Sequence, residues 1–126
     1  MGCHNSTTNT RLKSIENDLY YYKAIKAKIK NIEITIGEIE FLGASPEGRL
    51  DKGELIKRRE ALSRKIALLD NALEALTEKE LNLIKLRYFD KLSNEEIANI
   101  EYYALNTVGQ VIKKILMKME PILFID

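Results

Sequence analysis

The chain contains one cysteine, Cys3, and one histidine, His4. A single thiol excludes an internal disulfide framework and suits a reducing, cytoplasmic setting. With no other Cys or His in the sequence, these two cannot complete a four-ligand metal site, so neither a metal nor a cofactor is expected. No apolar run approaches the roughly eighteen residues of a membrane span. No apolar core of the secretory type follows the first residues either, which leaves a soluble protein with no membrane partner. A glycine-rich phosphate loop is missing, as is any Ser/His/Asp or Cys/His arrangement. The adjacent acids Glu95 and Glu96 have an ordinary role at a helix N-terminus, where they complement the dipole. Catalysis is therefore not expected, and no catalytic residue is assigned.

The sequence is rich in apolar residues at helical spacing. At 45% hydrophobic and 31% charged, the 126 residues have a globular composition sufficient for one or two small domains. Net charge is only +1. Residues 77–126 carry 7 basic and 8 acidic side chains, so the C-terminal part is slightly acidic.

Two Ser/Thr-x-x-Glu capping boxes, Thr77 with Glu80 and Ser93 with Glu96, mark helix starts in that part. Together with the apolar periodicity they predict helices over about 78–89, 94–100 and 104–119. The second and third are joined only by Glu101, Tyr102 and Tyr103. A connection this short forces a steep crossing, the geometry of a helix-turn-helix whose second helix can enter a major groove. Ile97, Ala98 and Ile100, then Val108, Val111, Ile112, Ile115 and Leu116, provide the apolar side. The opposite face of the last helix carries Asn106, Gln110, Lys113 and Lys114. Amides near the N-terminus and lysines further along suit a helix that reads bases with one end and holds phosphates with the other. Lys113, Lys114 and Lys118 have no acidic neighbour between Leu105 and Met119, which gives a local basic face on a neutral domain. The remaining affinity would have to come from dimerisation or a polymerase partner.

This stretch resembles the fourth region of bacterial sigma factors. The carrying residues are Leu86-Arg87-Tyr88, Ser93, Glu96-Ile97-Ala98 and Thr107-Val108, in the order and spacing of that family. It departs from the pattern at Tyr102, where the turn usually holds Gly, at Ala104, where a small hydroxyl residue usually starts the recognition helix, and at Val111, where an Arg often sits. The resemblance implies sequence-specific binding of double-stranded DNA. Leu105, Asn106, Gly109 and Gln110 would face the bases, with Gly109 allowing close backbone approach. Arg87, Thr107, Lys113 and Lys114 would hold phosphates, Arg87 and Thr107 being carried over from the sigma motif.

Residues 1–10 read as a flexible polar tail. Gly2 and Ser6 also match the short N-myristoylation pattern, with Cys3 as a second acylation site, but the plainer reading is preferred. From about Thr10 to Leu42, Ile15, Tyr22, Ile25, Ile29, Ile32, Ile36 and Ile39 recur by threes and fours, with Asp18 breaking the seam. They predict one helix roughly 45 to 50 Å long. The Gly43-Ala44-Ser45-Pro46-Glu47-Gly48 cluster is a turn. Asp51 with Glu54 then offers a cap to a helix over about 52–76, with Leu55, Leu62, Ile66, Leu69, Leu73 and Leu76 as its stripe.

The expected fold is thus all-α: a coiled-coil-like helical hairpin over 11–76 and a helix-turn-helix domain over 77–126. The long stripes can pair within the chain or between two chains as a homodimer, and the hairpin is preferred. Of Tyr20-Tyr21-Tyr22, at least one must be exposed or at a contact. Lys57-Arg58-Arg59 with Arg64-Lys65 reads as a solvated helix face, with a second DNA contact as the alternative. The apolar tail 121–126 is expected to fold back on the C-terminal domain.

This layout resembles the RinA-like transcriptional activators of phages and prophages, which implies a regulator of late phage operons. Two readings of other classes stand beside it. One is a small-terminase-like DNA packaging protein, which would form a large ring. The other is an interaction module that engages RNA polymerase or a sigma factor in place of DNA.

Overall fold

The computed structural model is all-α and describes residues 2–43 and 51–125, with side chains from Thr7 onward. Residues 44–50, which hold most of the expected turn, lie outside the described residues, as do Asp126 and the side chains of Cys3, His4 and Ser6. The helices are α1 (Gly2–Tyr20), α2 (Tyr22–Leu42), α3 (Lys52–Glu74), α4 (Glu78–Ile84), α5 (Asn94–Glu101) and α6 (Leu105–Leu123). A π turn, Lys85–Phe89, continues α4. None of the described helices is long and apolar enough to cross a membrane.

The chain divides into two compact units. Tyr22–Leu68 form one, and residues up to Tyr21 together with Leu69–Asp126 form the other. This departs from the boundaries expected at 10/11 and 76/77. The first ten residues, read from sequence as a tail, are helical from Gly2 onward. The long helix predicted from Thr10 to Leu42 is interrupted at Tyr21. The physical reason lies in which residues are buried. In α1 they are Leu12, Ile15 and Leu19, at i, i+3 and i+7. That stripe does not continue through Tyr22 as one heptad seam, and it packs against α6 and the π turn.

In the hairpin unit, α2 and α3 pair within the chain. Ile32, Ile36 and Ile39 bury against Leu55, with Ile56 and Leu62 partly buried at the edge. Asp51 caps α3 by accepting from the Gly53 amide at 3.1 Å. Lys52 and Glu40 form an ion pair at 3.3 Å between the two helices. Burial thins elsewhere: Ile25 and Ile29 are half-buried, and Ile34, Phe41 and Leu42 are exposed.

The larger unit has a fuller core. Leu12, Ile15 and Leu19 of α1, Leu69, Ala72 and Leu73 of α3, Ile84 of α4, Ile97 of α5, and Val108, Ile115 and Met119 of α6 are all buried. Fully burying an aliphatic side chain of this size contributes about 1.5 to 3 kcal/mol. The apolar end continues α6 through Leu123 and packs on this unit through Phe124. Its Phe124 ring lies 5.0 Å beneath the Arg11 guanidinium, and Arg11 also pairs with Glu120 at 3.0 Å.

Candidate nucleic-acid interface

Both capping boxes have formed with their reciprocal bonds. The Thr77 hydroxyl accepts from the Glu80 amide at 3.2 Å, and the Glu80 carboxylate accepts from the Thr77 amide at 2.9 Å. Ser93 and Glu96 repeat the arrangement at 3.1 and 3.0 Å. The hydrogen bond from the Thr77 backbone, helped by Lys118, holds the Glu80 carboxyl below the usual glutamate range. The bond from the Ser93 backbone does the same for Glu96. Lys118 is therefore not the unopposed cation expected from its sequence neighbours. It pairs with Glu80 at 2.9 Å and ties α6 to the start of α4.

The π turn holds the Leu86-Arg87-Tyr88 motif. An extra residue in the turn widens the helix locally, and the Asp90 amide reaches back to the Lys85 carbonyl at 2.8 Å. Tyr88 is buried and donates to the Glu16 carboxylate of α1 at 2.9 Å. Burial, followed by that carboxylate, pushes the Tyr88 phenol well above its ordinary range. Lys91 adopts a left-handed conformation, φ 59°, and donates to the Tyr20 carbonyl at 2.7 Å with its ammonium over the Tyr20 ring. The end of α1 is thereby closed by a residue from the far side of the motif. Tyr20 and Tyr21 stack edge to face and are about half exposed, while Tyr22 is half-buried.

The connection from α5 to α6 turns at Tyr102, φ 59°. This left-handed conformation costs a non-glycine residue roughly 1 to 2 kcal/mol. Amides of Tyr102 and Tyr103 both satisfy the Ala98 carbonyl. Ala104 has the extended conformation of a cap but no side-chain cap bond, so α6 starts without one.

On α6 the buried face is Val108, Ile112, Ile115, Leu116 and Met119. Asn106, Gln110, Lys113 and Lys114 are exposed on the opposite side. Leu105 is also exposed, whereas Thr107 and Gly109 are half-buried at the two shoulders. Arg87 stands on a different element. Its guanidinium donates to the Leu92 carbonyl at 3.2 Å, and it lines a cleft with Gly109 and Lys113. The geometry thus brings Arg87, Gly109 and Lys113 together at one shoulder of α6 and spreads Asn106, Gln110 and Lys114 along its outer face. Lys13 and Asn9 of α1 and Asn94 of α5 line the same cleft. Sequence reasoning missed Asn9 because residues 1–10 were read as a tail, and Lys13 and Asn94 because only the docking of α1 brings them to one cleft. Extending the helix back to Asn9 reveals a polar stripe, Asn9, Lys13, Glu16 and Tyr20, beside the apolar one.

The family model for Sigma-70, region 4 matches residues 72–120. That stretch is a sigma-70 region 4 helix-turn-helix domain. It covers α4, the π turn, α5 and most of α6. No curated protein and no solved structure matches the chain. Within the region 4 domain, α5 and α6 are the helix-turn-helix pair, with α6 in the place of the recognition helix. Helix α1 lies outside the matched residues yet belongs to the same compact unit.

Proposed function

We propose that the protein is a sequence-specific transcription regulator that reads double-stranded DNA with α6 in the major groove. The observation that carries this is the polar stripe Asn106, Gln110, Lys113 and Lys114, exposed on a region 4 recognition helix whose other side is core. Asn and Gln amides match the paired donor and acceptor edge of adenine, and lysines suit phosphates. Leu105 and Gly109 lie beside the amides, Gly109 where close backbone approach is easiest. Thr107, Lys113, Lys114 and Arg87 take the phosphate-holding roles. The finer assignment, an activator of late phage or prophage genes, rests on the chain layout.

Selection of bound duplexes from a random pool tests this reading. One enriched motif is expected. Gln110→Ala should relax preference at one position by about 1 to 3 kcal/mol. A pool that stays random with the wild-type protein would refute it.

One observation favours a second reading, a module that engages RNA polymerase or a sigma factor. Ile100, Tyr102 and Leu105 are 52%, 95% and 55% exposed around a single turn. A homodimer through the long helices would add affinity under either reading.

A further inference from the structure

The cleft beside α6 takes one of its walls from α1, which lies outside the residues matched to region 4. It has a volume of about 350 Å³ and is walled by α1 on one side and by α6 on the other. Lys13, Arg87 and Lys113 reach it from three separate elements. Among the described residues neither Lys13 nor Lys113 has an ion-pair partner, and both are exposed. Among the described residues the one acid in the wall, Glu16, accepts from Tyr88. Positive charge therefore exceeds negative there, although the compact unit as a whole carries nine basic and twelve acidic side chains. A second observation concerns Asn94, which lines the cleft and has a buried side-chain oxygen without a hydrogen-bond partner. That oxygen is an acceptor enclosed by protein, a costly arrangement in the cleft wall.

We infer that this cleft grips a phosphate of the DNA backbone, with Lys13 of α1 as a phosphate ligand beside Arg87 and Lys113. The inference rests on the DNA-reading function proposed above and assigns α1 to the interface. Gly109 and Lys113 border both the cleft and the outer face of α6, so a duplex lying along that face runs its backbone past the cleft mouth. Three cations from separate elements fix the register of the duplex, since a phosphate touching all of them admits little sliding. The unit is acidic overall, so this local concentration of cations is where a backbone contact is most favourable.

The test is fluorescence anisotropy with the full chain on a selected duplex and on a scrambled one, over a salt series. It compares wild type, Lys13→Gln, Lys13→Arg and Gln110→Ala. Lys13→Gln should weaken binding equally on both duplexes and lower the slope of log K against log salt by about 1. Lys13→Arg should restore the slope, and Gln110→Ala should lose sequence preference with the slope unchanged. Lys13 is exposed, and circular dichroism of each variant confirms its helix content. Salt-sensitive wild-type binding with an unchanged Lys13→Gln slope would overturn the cleft assignment and leave the DNA reading standing. Wild-type protein that binds no duplex would overturn both. A parallel arm measures thermal midpoints with inorganic phosphate against chloride at equal ionic strength. Stabilisation of wild type but not of Lys13→Gln, together with an unchanged DNA slope, would move the site to a small phosphorylated ligand and overturn its assignment to DNA.

Discussion

The two units solve the burial problem to different depths. In the larger unit Leu19, Ala72, Ile84, Ile97 and Met119 are 0% exposed, whereas in the hairpin no core residue falls below 5%. Charge runs the other way. Residues 22–68 carry eleven basic and seven acidic side chains, against nine and twelve in the larger unit. A two-helix hairpin has one seam to bury, while a helix in the larger unit meets several neighbours. The lesson is that dense packing and net positive charge lie in different parts of this molecule. The recognition helix needs a fixed geometry, which a dense core provides. Net charge, by contrast, needs no fixed geometry, and a solvated hairpin can carry it.

The largest effect expected from breaking this contrast is in α1. Leu19→Ala should destabilise the larger unit by about 3 kcal/mol, the range for emptying a full core site. Denaturant unfolding followed with a probe on α6 measures it. A loss below 1 kcal/mol would mean that α1 is an appendage and that the region 4 domain stands without it. Ile36→Ala in the hairpin should cost about 2 kcal/mol, the low end of the same range, because its cluster is small. Hydrogen exchange should show the loss in α2 and α3 while protection in α6 persists; equal loss in both units would merge them into one cooperative body. Next comes Tyr88→Phe, which removes a bond to a carboxylate and should cost about 1.5 kcal/mol. Thermal unfolding of Tyr88→Phe, Glu16→Gln and the double variant gives the coupling, and additive losses would deny that the bond exists.

The smallest effect is in the caps and depends on pH. Glu80 and Glu96 are both held below the ordinary glutamate range in the folded state, chiefly by the backbone amides of Thr77 and Ser93. Their contribution is complete above the ordinary glutamate range. It is lost as the pH falls below that range, through the depressed folded-state values. Wild type and a Glu80→Gln/Glu96→Gln variant should therefore differ in stability at neutral pH and converge in acid. A gap that stays constant down to strongly acidic pH would show that the carboxylates are not the capping groups.

Legibility in the sequence follows the range of the interactions. The capping boxes at Thr77 and Ser93 are local, four-residue devices, and both formed with every expected bond. The short α5 to α6 connection and the apolar face of α6 were equally readable, because local turn chemistry and helical spacing determine them. What was not readable depended on distant partners. Nothing near Tyr21 in the sequence breaks a helix, as it is not Gly or Pro. The closing groups, Lys91 on Tyr20 and Tyr88 on Glu16, come from some seventy positions further along. The same blindness hid Lys13, whose place beside Arg87 and Lys113 exists only once α1 has docked. Lys118 was misread for the converse reason, since its acid, Glu80, lies 38 residues earlier.

The most direct test of the central claim is a gel-shift titration of the purified protein against duplexes from its own genomic neighbourhood. It is run at two salt concentrations beside a Lys113→Glu/Lys114→Glu variant. The account predicts salt-sensitive binding to one fragment, lost in the variant while helix content is retained. Wild-type protein that shifts no fragment at either salt concentration, or a variant that binds as well as wild type, would contradict it.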